Sequence, residues 1–163
     1  MNLPSRKPNR LPCFDYSQPS AYFITICTEN RRQILWDDVG ASSARPEELS
    51  LSHIGMVVEE AILKIPEKYP AISVDTYVVM PNHIHLLLQI NTDEDGRAML
   101  APTISLAVQQ MKGYVTKKLQ RSIWQKSFHD HVVRGQEDYL AIWEYIQGNP
   151  YQWEEDTLYG EGL

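Results

Sequence analysis

Two histidines set two residues apart, His83 and His85, stand in the apolar run YVVMPNHIHLLLQ from Tyr77 to Gln89. Val78, Val79, Leu86, Leu87 and Leu88 give that run the aliphatic, β-branched character of a buried strand. Side chains at i and i+2 of a strand share a face, so the two imidazoles project together while Ile84 turns away. Paired imidazoles on one face make half of a metal site. A His-x-His pair alone is more often structural, and Pro81 and Asn82 mark a turn just before this one. A second element must bring the rest.

That element is EDYLAIWEYIQGNP, which reads as a helix from Glu137 to Gln147 with Leu140, Ile142, Trp143 and Ile146 as its apolar positions. Tyr145 and Asn149 are one helical turn apart and project from the same side, just where Gly148 and Pro150 end the helix. An amide oxygen from Asn149 would complete a mixed nitrogen and oxygen donor set suited to Mg²⁺ or Mn²⁺. Tyr145 would then present a phenol beside the ion. A phenol with a pKa of about 10 is a poor nucleophile until it is deprotonated or aimed at a polarised phosphate. A metal on that phosphate helps with both. His129 and His131 form a second His-x-His, and geometry alone leaves it as an alternative metal pair.

The elements that position these residues alternate between strand and helix. Ala21 to Thr28 is a strand after a turn-like DYSQPS, and Gln33 to Trp36 begins a second short one. Ser52 caps a helix to about Ile65, with Ile54, Val57, Val58, Ala61 and Ile62 on one stripe, closed by Pro66 and Pro70. Ile72 to Met80 and His83 to Ile90 form one kinked strand or two. Thr103 or Ser105 starts a helix with Ile104, Ala107, Val108, Met111 and Val115 on one side, and Phe128 to Val133 is a further strand. This order fits one α+β domain: a mainly antiparallel sheet with helices on one side.

The chain has 163 residues, enough for one domain with a proper core. No apolar run is long enough to span a membrane, and MNLPSRKPNR lacks a signal peptide's apolar core. Cys13 and Cys27 form no CxxC pair, which argues against a zinc ribbon or a disulfide framework. Cytoplasmic residence is the expectation. The net charge is −6, yet from Ala98 to Arg134 Lys112, Lys117, Lys118, Arg121, Lys126 and Arg134 face a single acid, Asp130. Arg6, Lys7 and Arg10 add charge in an N-terminal arm (1–12), as do Arg31 and Arg32 after the first strand. Acid gathers at Glu47, Glu48, Glu59 and Glu60 and in the tail 154–163. A basic face on an acidic protein is compatible with phosphate binding, because the local field outweighs the total.

VVMPNHIHLLL followed some sixty residues later by YIQGNPYQW resembles the single-tyrosine transposases of the HUH superfamily, and most closely the REP-associated tyrosine transposases of the insertion-sequence-200-like group. FDYSQPSAYFITICTENRR, KGYVTKK and IWQKSFHDHVVR carry the likeness from about Arg10 to Trp153. MPNHxH with YIxxNP at this distance is specific. The resemblance ranks the pair His83 and His85 above His129 and His131, since SFHDHVVR matches a flanking segment.

By resemblance, His83, His85 and Asn149 would hold Mg²⁺ or Mn²⁺. Tyr145 would attack a DNA phosphate to give a 5′-phosphotyrosine and a free 3′-hydroxyl. The implied activity is cleavage and rejoining of single-stranded DNA at imperfect hairpins without ATP, on an RRM-like, ferredoxin-like antiparallel sheet backed by helices. Arg31, Arg32, Lys112, Lys117, Lys118, Arg121, Lys126 and Arg134 are the candidate DNA contacts, with Tyr114 and Trp124 as aromatic neighbours. The alternative is a domesticated, non-catalytic hairpin-DNA binding protein on the same fold, and a third reading is a hydrolase that uses water. The family assembles both as monomers and as homodimers that exchange the tyrosine helix; the reading leans to a homodimer, with Gly135 as the hinge.

Overall fold

Alternating side chains write two faces onto strand β1 (Ala21–Cys27). Tyr22, Ile24 and Ile26 are fully buried on one face; Phe23, Thr25 and Cys27 point to the other. In the computed structural model, which describes residues 20–37, 50–92, 95 and 104–155, β1 lies inside a sheet with β2 (Ile72–Val79), β3 (His83–Ile90) and β4 (His129–Val132). Spatial order is β2-β3-β1-β4, and each neighbouring pair is antiparallel. With α1 (His53–Leu63) between β1 and β2 and α3 (Ile104–Leu119) between β3 and β4, this is the expected ferredoxin-like α+β arrangement.

The β1–β3 register sets Thr25 opposite His85 and Cys27 opposite His83. Ile24, Ile26, Ile84, Leu86 and Leu88 therefore share the other face, where they join Val58, Ile62, Val108 and Val115 from α1 and α3 in the main core. Burying each such side chain contributes roughly 1.5–3 kcal/mol. Helix α4 (Gly135–Gly148) covers the opposite face, where Ile142 and Ile146 meet Leu87 in a smaller cluster. The helices thus lie on both sides of the sheet, not on one.

Local chemistry fixes the elements near the histidines. Met80 donates its backbone N–H to the His83 carbonyl at 2.8 Å, closing the β2–β3 hairpin around Pro81 and Asn82. The Ser52 hydroxyl caps α1 by accepting from the Gly55 N–H at 3.0 Å and donates to the Ile34 carbonyl at 2.6 Å. A Cβ on Gly55 would lie 2.0 Å from the Leu35 carbonyl oxygen, so only glycine lets segment 34–36 rest on α1. Gly135 takes φ +86 at the start of α4, the left-handed region that favours glycine.

Two further expectations need correction. Gln33 to Trp36 is not a strand: Leu35 bonds to the Pro81 carbonyl, leaving one isolated bridge from Trp36 to Leu51. Pro66 does not end the first helix. It sits in the opening turn of a short α2 (Ile65–Lys68), where its missing N–H costs no bond. Of the two readings of the β2–β3 stretch, the two-strand one holds. Helix α3 begins at Ile104; Thr103, Arg6, Lys7, Arg10, Cys13, Glu47, Glu48 and the tail beyond 155 fall outside the described residues. No helix among the described residues is long and apolar enough to cross a membrane.

Candidate active site

The two imidazoles meet as their spacing predicts. His83 Nε2 and His85 Nε2 lie 3.1 Å apart, and the side chains are 0% and 3% exposed. Each far nitrogen is anchored: His83 Nδ1 to Asn82 Oδ1 at 2.7 Å, His85 Nδ1 to Thr25 Oγ1 at 2.8 Å. A carbonyl oxygen only accepts, so His83 carries its proton on Nδ1 and turns a lone pair toward His85. The Thr25 hydroxyl both donates and accepts, which gives His85 two consistent tautomers. In one, His85 Nε2–H donates to His83. In the other, Nδ1–H donates to Thr25 and both Nε2 lone pairs converge, an arrangement that calls for a cation between them. Burial first, then the neighbouring His83, holds the His85 pKa well below the usual histidine value, so the ring stays neutral near pH 7.

Helix α4 brings the remaining groups. Gln147 donates to Thr76 Oγ1 and Tyr139 to Asp75 Oδ2, both at 2.7 Å, pinning α4 to β2 of its own chain. The Tyr145 hydroxyl stands 3.5 Å from His85 Nε2, the outer limit of a hydrogen bond, with its ring edge-on to Phe23. Tyr145 is 45% exposed, open to a large ligand. Beyond α4 the chain tightens into a 3-10 helix (Asn149–Glu155), and Trp153 lies 5.9 Å from the His83 ring, centre to centre. Asn149 thus sits between one side chain that meets His85 and another that meets His83. It is 3% exposed, and its Nδ2 has no hydrogen-bond partner among the described residues. A buried amide with an unmet polar atom costs about 1–3 kcal/mol unless a ligand satisfies it. Rotating the amide by half a turn exchanges its N and O and leaves an acceptor there instead.

These residues fit a divalent ion. Two imidazole nitrogens converge, each ring held by a hydrogen bond on its far side, and Asn149, between Tyr145 and Trp153 in the chain, adds a buried amide with unmet polar capacity among the described residues. Among the described residues no three His, Cys, Asp or Glu side chains gather to hold a metal. An amide, water or substrate oxygen would have to complete the set.

The second histidine pair is built differently. His129 and His131 share the sheet face of His83 and His85, but Thr25 and Phe23 of β1 lie between the two pairs. Both are exposed. His131 bonds Asp138 at 2.8 Å, and the Arg134 N–H shares that carboxylate oxygen.

The basic residues divide between the two layers. Lys112, Lys117 and Lys118 ride on α3, across the sheet from Tyr145. Lys112 donates to the Gln125 carbonyl at 2.7 Å, and Lys118 lies 4.0 Å from Glu60. Arg121 follows α3. Arg31, Arg32 and Lys126 lie at the His83 end of the sheet, where Gln125 bonds to Cys27. Arg134 is at the other end, preceding α4. Sequence reading missed Thr25, Asn82, Phe23, Trp36 and Trp153. Thr25 becomes visible once β1 is registered against β3, whereas Trp153 lies in a 3-10 turn where α-helical spacing no longer applies.

Comparison with known proteins agrees with this fold. The family model described as "Transposase IS200 like" matches residues 17–149. An uncharacterised protein of Haemophilus influenzae is 30% identical, covering 94% of this chain and 93% of its own. A REP-associated tyrosine transposase of Escherichia coli K12 is 24% identical over 83% of this chain and 68% of its own. Among solved structures, a REP-associated tyrosine transposase bound to a REP hairpin superposes with a TM-score of 0.62 at 19% identity, covering 94% of this chain and 88% of that one. At that identity the likeness speaks for the fold.

Proposed function

The chain belongs to the IS200-like transposase family, and we propose that it cleaves and rejoins single-stranded DNA at hairpins, with Tyr145 as nucleophile and a divalent ion, Mg²⁺ or Mn²⁺, as cofactor. The observation that carries this reading is the exposed Tyr145 hydroxyl 3.5 Å from His85 Nε2, on the helical stripe that holds Asn149. A protein that only bound hairpins would have no use for a phenol at a convergent imidazole pair.

His83, His85 and Asn149 would hold the ion, which when bound supplies Lewis acidity at a non-bridging phosphate oxygen. The chain's own groups do the rest. Asn82 fixes the tautomer of His83, and Thr25 and Asn82 together fix the ring directions of the histidines. Phe23 backs the Tyr145 ring, and the Gln147–Thr76 and Tyr139–Asp75 bonds hold α4 against the sheet. The Tyr145 Oη–P bond forms as the P–O3′ bond breaks. The phenolic proton leaves to solvent and the departing O3′ takes one up, so the proton count balances. A phosphotyrosine ester replaces a phosphodiester, so attack by another 3′-hydroxyl reverses the step at little cost.

Arg31, Arg32 and Lys126 would meet backbone phosphates near the site, and Arg134 would meet them beyond α4. Lys117, Lys118 and Arg121 would serve a hairpin that reaches round to the α3 layer. Lys112, already bonded internally, is the least available of them. The solved REP-associated relative is bound to a REP hairpin, which supports the hairpin as substrate class here. One chain holds all four site residues, and a homodimer exchanging α4 about Gly135 would rebuild the same site from two.

The test is a denaturing-gel assay with single-stranded hairpin DNA from the gene's flanks, comparing wild type and Tyr145→Phe in Mn²⁺ or EDTA. A metal-dependent covalent adduct lost in the variant is expected. Cleavage that survives Tyr145→Phe would assign the reaction to water, and binding without cleavage across several flanking hairpins would assign the chain to the binding-only class.

A further inference from the structure

The His pair is flanked by aromatic rings on both sides, and the chemistry above accounts for one side only. Beyond His83, on the side away from Tyr145, stand Trp153 and Trp36. Trp153 is tilted 36° to the His83 ring at 5.9 Å, and Trp36 lies 6.5 Å further on from Trp153 at 53°. Both are only partly buried. Trp36 is held rigidly: its indole N–H donates to the Val79 carbonyl at 2.8 Å, its backbone bridges to Leu51, and Gly55 lets its segment lie against α1. Two partly open tryptophans, Trp36 anchored by its indole N–H and Trp153 packed between Trp36 and His83, are costly in exposed apolar surface next to a candidate phosphate-cleaving centre. Their flat faces suit nucleobases, which stack on aromatic side chains whatever their sequence.

Stereochemistry selects which base. In an in-line displacement the entering and leaving oxygens lie on opposite sides of phosphorus. Tyr145 enters from the His85 side. With the phosphate between Tyr145 and the His83 side of the pair, the leaving O3′ would be directed toward His83, where Trp153 stands. We propose that Trp36 and Trp153 form a stacking platform for the nucleotide immediately 5′ of the scissile phosphate, the one that departs with the free 3′-hydroxyl. The platform retains that strand end after cleavage, so that it stays beside the phosphotyrosine for rejoining. This assignment of strand polarity rests on the 5′-phosphotyrosine reading; the stacking itself does not.

The experiment is a coupling measurement by binding alone. Fluorescently labelled single-stranded flank DNA, intact or with one abasic site stepped along the strand, is titrated with Tyr145→Phe protein carrying Trp36 and Trp153, Trp153→Ala, Trp153→Phe or Trp36→Ala. Losing one stacked base should weaken binding roughly ten- to a hundredfold. That loss should occur at one position, disappear in Trp153→Ala and Trp36→Ala, and return in Trp153→Phe. In wild-type protein the break should map directly 3′ of that position. If Trp153→Ala and Trp36→Ala weaken intact and abasic strands equally at every position, the tryptophans are structural and the platform is refuted. Coupling to the base 3′ of the break would overturn the polarity. Coupling with no adduct from wild-type protein would leave the platform standing and refute only the tyrosine chemistry.

Discussion

The two faces of the sheet are made by the same strands and have opposite characters. On the face covered by α1 and α3, Ile24, Ile26, Ile84, Leu86 and Leu88 are almost completely buried among aliphatic neighbours. On the face covered by α4, His83 and His85 are as deeply or nearly as deeply enclosed and Thr25 is half-buried, yet these alternate residues are polar and bonded to one another. Among the described residues, Leu87, Ile142 and Ile146 form the buried apolar cluster there. The first face stabilises the fold; the second uses that stability to keep polar groups dry and oriented. A period of two separates the tasks within single strands.

Exchanging damage between the faces gives the largest effects. His83→Ala should lower metal-dependent cleavage by about a thousandfold or more, the scale of several kcal/mol that a metal supplies, while the melting temperature stays close to wild type. Leu86→Ala, three residues along, should do the converse, costing about 2–5 kcal/mol in denaturant unfolding. A His83→Ala protein that unfolds, or a Leu86→Ala protein of unchanged stability, would break the division. Thr25→Val keeps shape and removes the His85 anchor. The Mn²⁺ concentration needed for half-maximal cleavage should rise about 10- to 100-fold, with the unfolding midpoint little changed.

The polar face should also carry a pH signature. Folding holds the His85 pKa below the ordinary histidine value of 6.5, so below that pH the unfolded chain binds a proton that the folded chain refuses. Stability linked to His85 is therefore present above about pH 6.5 and falls as the pH drops. Urea midpoints for metal-free protein should decline from pH 7 to pH 5 more steeply in wild type than in His85→Gln. The smallest effect distinguishes the two histidine pairs. His129→Ala, on the exposed edge strand, should leave both the cleavage rate and its Mn²⁺ dependence essentially unaltered in the same assay.

The motifs that were legible in the sequence are those that depend on short periods. The shared face of His83 and His85 follows from strand alternation, the common side of Tyr145 and Asn149 from one helical turn, and the Ser52 cap from its residue type. What was not legible depends on contacts between distant segments. Thr25 meets His85 only through cross-strand register. The side of the sheet that α4 covers is set by packing, since its apolar stripe fits either face in isolation. Trp36 lies in a segment without regular periodicity, and Trp153 in a 3-10 turn after the helix signal has stopped. Gln33–Trp36 has a strand-like composition but spends its backbone bonds on Pro81 and Leu51.

Whether Tyr145 is the nucleophile at a histidine-metal centre is decided most directly by mass spectrometry of the trapped adduct. Wild-type protein incubated with flanking hairpin DNA and Mn²⁺ would be digested with nuclease and protease. The expected product is a nucleotide joined through its 5′-phosphate to Tyr145, with the released strand ending in a 3′-hydroxyl. An adduct on any other residue, or free 5′-phosphate ends with Tyr145 unmodified, would refute the assignment.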